Sequence, residues 1–203
     1  MELFFSPLAC SLASRIALYE AGAEARYSRV DTKAGRTEDG ADYLRINPKG
    51  LVPALRTQDG EVLTENAAVL QFIADHFPEA ALMPSGFERY RAQQWLSFIG
   101  TELHKFVFAP LFSRRANDEA KAFARAAAPE RFAYLEDQLD GREYLVDTFS
   151  VADAYLAVVL NWAQAVNFDL SPYPNIRAYH QRVLARPAAG RAFQEELALY
   201  QAA

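Results

Sequence analysis

Cysteine is nearly absent from this chain: Cys10 is the only one in 203 residues. That excludes an internal disulfide framework and suits a reducing compartment. No run of lysine and arginine occurs, and the net charge is -5. Nucleic acid and acidic membrane surfaces are therefore not the expected main partners. Long apolar runs are missing as well. The most apolar later segment, 154–166, is broken by Asn161 and Gln164 and is too short to span a bilayer. The chain opens on a strand-like run, not on a basic segment leading to an apolar core and a cleavage site. No signal peptide is expected, and the expected location is cytoplasmic. There is no internal repeat and no low-complexity linker, and no metal is expected. What is present is bulk: 51% hydrophobic and 13% aromatic residues can bury a sizeable core, in one large domain or two small ones.

The lone cysteine sits at an informative place. Leu3-Phe4-Phe5 reads as a buried strand, Pro7 as a turn, and Ser11 to Ala21 as a helix, with Leu12, Ile16 and Tyr19 at helical spacing and Gly22 closing it. Cys10 falls at the helix start, where unpaired N–H groups and partial positive charge stabilise a thiolate. The same geometry would serve the thiolate of a bound ligand. Read alone, Cys10 is equally a small buried apolar filler.

Tyr27 to Asp31 makes a second strand, and a strand–helix–strand unit this compact implies a parallel pair. Residues 32–40 read as a surface loop and 41–46 as a short helix. Asn47-Pro48-Lys49-Gly50 is turn chemistry, and Pro53 stands at the start of an apolar strand, where it has no N–H for a ladder. Asp59-Gly60 marks a hairpin turning back through Val62-Leu63. A helix follows over 67–77 and a Pro- and Gly-containing linker over 78–86. The first domain is thus βαβ-α-ββα over 1–78. Everything in the second, 87–203, reads helical, giving an α/β domain followed by an all-α one. Helices are expected over 87–108, ended or kinked by Pro110; over 119–139, bent at Pro129; over 151–166; and over 174–185, with a last short one after Pro187. Ser150 and Asp153 form a capping box before an almost wholly apolar helix.

Four motifs carry a resemblance: Ala9-Cys10-Ser11-Leu12-Ala13-Ser14; Asn47-Pro48-Lys49-Gly50 with Val52-Pro53-Ala54-Leu55; Leu63-Thr64-Glu65-Asn66; and Thr101-Glu102-Leu103-His104-Lys105. In this order and spacing, and with the capping box, the chain resembles a cytosolic-type glutathione transferase, most of all the bacterial beta class. The resemblance implies a thioredoxin-like first domain, a helical second domain and a homodimer of such chains. It implies glutathione as co-substrate and a small hydrophobic electrophile as the second substrate. It also implies a cis Val52–Pro53 bond, whose free backbone groups would pair with the cysteinyl part of glutathione. Glu65 would take the ammonium group, and Asn66 with the helix start the γ-glutamyl carboxylate; simple N-capping is the other reading of these two. Cys10, Ser11 and His104 are the implied catalytic residues. Ser97, Thr101, Glu102, Leu103 and Lys105 match positions bordering glutathione, with Glu102 contributed across the dimer. A neutral His104 would orient or accept the thiol proton; a charged one would favour the thiolate.

Three departures from the family stand out. Phe5 replaces a common tyrosine, so no hydroxyl there can donate to sulfur. Gly35 stands where the class often has a glutathione-contacting lysine, leaving Lys33 or Arg36 to substitute. The segment 106–110 is one residue longer than usual. Phe5, Phe108, Phe112 and Trp162 are the candidate walls of the electrophile pocket. Other functions stay open at this level: monothiol–disulfide exchange through Cys10 (Ala13 stands where a resolving cysteine would be), a non-catalytic protein sequestering apolar ligands, or a structural interaction module.

Overall fold

The computed structural model describes residues 1–202. Along the chain run β1 (Glu2–Phe5), α1 (Ser11–Glu20), β2 (Arg26–Asp31), β3 (Arg36–Thr37), β4 (Ala54–Arg56), β5 (Val62–Thr64), α2 (Asn66–His76), α3 (Gly86–Phe98), α4 (Ala109–Phe112), α5 (Asp118–Gln138), α6 (Val151–Ala165), α7 (Pro174–Leu184) and α8 (Pro187–Gln201). The chain divides into two compact units. One is Met1–Met83 with the described part of Arg186–Ala203; the other is Pro84–Ala185.

In the first unit the strand order is β3-β2-β1-β4-β5. β1 and β2 are parallel, and every other pairing is antiparallel. Leu3, Phe4, Val30, Ala54 and Leu55 supply the buried sheet core, against which Leu12, Ile16, Leu70 and Ile73 are also fully covered. Gly22, at φ +62°, closes α1 as a left-handed cap. Two features differ from expectation. The expected loop over 32–40 contains β3, only two residues long and too polar to announce itself. The short helix expected over 41–46 is a single 3-10 turn, Tyr43–Arg45, capped by the Asp42 carboxylate.

The last helix also differs. It spans fifteen residues rather than a short stretch, and it belongs with the first unit, not with a helical domain over 87–203. Polar contacts hold it there. Arg186 makes a paired contact to Glu20 at 2.7 Å, and Arg15 of α1 reaches Glu196 at 3.2 Å and Glu195 at 3.4 Å.

The second unit is wholly helical. α6 is its centre, covered nearly all round as its composition implies. Between α3 and α4, residues Ile99–Phe108 continue as a π-helix, with the Ala109 N–H donating to the His104 carbonyl five residues back. Pro110 accounts for this locally. Its ring would collide with the carbonyl four residues earlier in a regular helix, and it brings no N–H of its own. Widening the turn relieves the collision and absorbs one extra residue, the usual content of a π insertion. The helix therefore passes Pro110 and stops at Ser113, with no break at the proline itself. α5 likewise runs through Pro129.

Candidate functional site

The approach to Cys10 is built from a short loop closed on itself. The Ser11 hydroxyl accepts from the Ser6 N–H at 3.2 Å and donates to the Ser6 carbonyl at 3.3 Å. Leu8 takes φ +60°, a left-handed value uncommon for leucine. Its N–H donates to Glu196 at 2.8 Å. Cys10 then caps α1, 9% exposed, and its thiol donates to the Val52 carbonyl at 3.3 Å. The Val52–Pro53 bond is cis. The turn before it is pinned through the Leu51 carbonyl, which accepts from the Tyr43 hydroxyl at 2.7 Å and from the Asn47 amide at 2.6 Å.

β4 and β5 are in register at Ala54 and Thr64. Glu65 sits at φ +71°, and its exposed carboxylate is paired with Lys49, which also donates to Thr64. Asn66, 8% exposed, accepts from the buried Ser14 hydroxyl at 3.2 Å, and its Nδ2 has no hydrogen-bond partner among the described residues. An amide donor left over beside the start of α2 suits an incoming carboxylate. Sequence reasoning passed over Lys49 and Ser14. Lys49 lay inside a quoted motif, but only the fold brings that turn against Glu65.

Other candidates need correcting. Ser11 is fully buried and engaged with Ser6, so it shapes the loop beneath the thiol instead of touching a substrate. Phe5 is 2% exposed and its ring lies 4.3 Å under the Arg15 guanidinium; it is core, not pocket wall. Gly35 has φ +66°, a conformation in which a lysine would be strained. Arg36 donates to the Gly40 carbonyl at 2.8 Å, while Lys33 stands in an exposed turn held by Asp31.

In the helical unit, Ser97, Thr101 and Glu102 share a surface hollow of about 580 Å³ with Trp95, Arg131 and Tyr134. Arg131 grips one oxygen of Glu102 with two nitrogens at 3.0 Å. Leu103 is fully buried, so its side chain is unavailable to any ligand. Lys105 is exposed. His104 does not line that hollow. Its Nδ1 lies 2.6 Å from the Tyr155 hydroxyl and its ring meets Trp162 edge-on at 4.8 Å. Trp162 in turn contacts Phe108 and Phe112. Of these rings Phe112 is 47% exposed, whereas Phe108 is fully covered and backs the cluster without lining it.

Burial, then the charge of Lys105, holds His104 down to about 4. The imidazole is neutral at ordinary pH. The sign follows for stability. Between roughly pH 6.5 and 4 the unfolded chain binds a proton that folded His104 refuses, so stability falls as pH falls through that window. At about pH 5 the loss is about 2 kcal/mol. Urea denaturation of His104→Asn at pH 7 and at about pH 5 should show that much less acid destabilisation than the parent protein.

A five-stranded mixed sheet, with a thiol at the first helix start facing a cis-proline edge, defines a thioredoxin-like unit; a helical unit follows it. The N-terminal domain model of the glutathione S-transferases matches residues 9–76, and their C-terminal domain model matches residues 101–187. The chain is 41% identical to glutathione S-transferase GstA of Escherichia coli O157:H7, covering 97% of this chain and 98% of that one. Among solved structures it is similar to a sphingomonad glutathione S-transferase complexed with glutathione, at TM-score 0.92 and 46% identity, covering 97% and 98% of the two chains. The bacterial beta class enzyme of Sphingomonas chungbukensis gives TM-score 0.93 and 47% identity, again covering 97% and 98%. This chain belongs to the glutathione S-transferase family.

Proposed function

We propose that this member of the family adds the glutathione thiolate to small hydrophobic electrophiles, with the tripeptide lying along the Val52–Pro53 edge of the first unit and its sulfur beside Cys10. The observation carrying this reading is the Cys10 thiol at the start of α1, 3.3 Å from the Val52 carbonyl. In this arrangement Val52 pairs with the cysteinyl backbone as an added strand would. Asn66 offers its unpartnered amide to the γ-glutamyl carboxylate, and Glu65, exchanging Lys49 for the ligand, takes the ammonium group. Lys33 is the cation at hand for the glycyl carboxylate. On the family resemblance, Ser97, Thr101, Glu102 and Lys105 are further proposed glutathione contacts, with Glu102 serving a partner subunit in a homodimer. Phe112 offers the electrophile an apolar surface, backed by the buried Trp162.

Catalysis then rests on lowering the thiol pKa and on proximity. The thiol proton leaves to solvent, the sulfur lone pair forms the new bond to carbon, and the electrophile's leaving group departs with its electron pair. A cytoplasmic setting, where glutathione is reduced, is part of the same proposal.

Retention on immobilised glutathione and conjugation of an aryl halide are the first tests. Cys10→Ser is expected to keep part of the conjugating activity. Glutathione–disulfide exchange, if the parent protein shows any, should vanish in the variant. Exchange as the dominant activity of the parent protein would overturn the reading, as would failure to bind glutathione.

A further inference from the structure

Glu196 occupies an unusual position for a carboxylate. It lies on α8, 188 residues along the chain from Leu8, and is fully buried. One oxygen accepts the Leu8 N–H at 2.8 Å, and the other faces Arg15 Nε at 3.2 Å. Leu8 is two residues before Cys10 and holds a left-handed φ that a leucine keeps only when its surroundings impose it. The other end of the same loop is closed by Ser11 on Ser6. Glu196 is thus the long-range holder of the segment that presents the thiol.

We propose that Glu196 is a positioning residue: its ionised carboxylate fixes the Leu8–Cys10 segment in the shape that receives glutathione, so that protonating this carboxyl weakens glutathione binding. The inference rests on the glutathione reading of the Cys10 loop. The charged and titratable groups acting on this carboxyl are Arg15 from α1 and Glu195 from α8; Tyr27 from β2 lies against Arg15, and Tyr19 and Arg191 bond to Glu195. Burial is the largest influence and pushes the Glu196 carboxyl up to about 7, against the pull of Arg15 and the Leu8 N–H. Its charge therefore changes within the working range. A charged acceptor holds an N–H more tightly than a neutral one.

The test uses S-methylglutathione, which has no thiol to titrate, and calorimetric titration of the full chain at pH 6 and pH 8. The parent protein should bind about fivefold more weakly at the lower pH. Glu196→Gln, a permanent stand-in for the protonated form, should bind at both pH values with the parent's low-pH affinity. A merely structural Glu196 would lower the melting temperature and leave the pH slope intact, and that result overturns the proposal. A second measurement needs no variant. The Leu8 amide proton resonance of the parent protein should move upfield on acidification through neutrality as its acceptor loses charge; an invariant resonance overturns the proposal equally. Failure to bind S-methylglutathione at either pH would strike at the glutathione reading, and the Leu8 resonance would then decide the positioning role by itself.

Discussion

Asp153→Ala is expected to destabilise the helical unit by about 4 kcal/mol, the scale of a buried carboxylate whose partners are all left unpaired. The carboxylate is fully buried at the start of α6. One oxygen accepts from the Leu145 N–H at 2.9 Å and the Tyr179 hydroxyl at 2.8 Å. The other accepts from the N–H and the hydroxyl of Ser150, both at 2.8 Å. It therefore joins the capping box to the preceding loop and to α7. For a chain of this size the loss corresponds to about 10 °C in melting temperature. Asp153→Asn is the sharper test, because it keeps the shape but has one oxygen where the carboxylate has two. Whichever way the amide turns, its NH₂ meets a backbone N–H that cannot reverse, while the neighbouring hydroxyl can rotate to accept. More than half of the alanine effect should remain. Thermal melts of both variants check this. An asparagine variant as stable as the parent would mean that the second oxygen contributes nothing.

That box was legible in the sequence because capping is local: Ser150, Asp153 and the apolar run lie within one turn of one another. The β1–turn–α1 entry, the Asp59-Gly60 hairpin and the closure at Gly22 were legible for the same reason. The failures share an opposite cause. The buried stripe of α8 is Ala189, Ala192 and Glu196, which carries almost no hydrophobic signal, so neither its length nor its place in the first unit could be seen. What holds it is ion pairing across more than 160 residues of chain. Motif spacing brought Cys10, Val52, Pro53, Glu65 and Asn66 to one edge. It could not tell which motif residues face outward. Ser11, Leu103 and Phe108 belong to matching or neighbouring segments yet are fully covered. Nothing local to Phe5 says that Arg15 will lie across its ring. The π stretch follows from Pro110 only once the helix is known to continue beyond it.

Arg15→Leu should be the most damaging single change in the first unit, costing about 3–5 kcal/mol at pH 8, the range for breaking a buried pair from one side. The guanidinium is held between the rings of Phe5 and Tyr27, at 4.3 and 4.4 Å, and faces both Glu195 and Glu196. Leucine restores some of the lost bulk but leaves Glu196 as an uncompensated charge inside the fold. The direction with pH separates this from simple loss of packing. A carboxyl whose folded pKa lies above its unfolded value binds its proton more readily when folded, so its contribution to stability falls as pH rises between the two values. For Glu196 that window already runs from the ordinary 4.5 to about 7. Without Arg15 the folded value rises further, and the window widens upward. The variant's deficit should therefore be largest at pH 8 and shrink by at least half near pH 5.5, as the orphaned carboxyl takes up its proton. Urea denaturation of variant and parent at the two pH values measures it. A deficit independent of pH would mean that the lost stacking on Phe5 and Tyr27, and not the stranded charge, accounts for the damage. Arg15→Lys should fall between the two proteins, since an ammonium keeps the charge but has no planar face to lie between the rings.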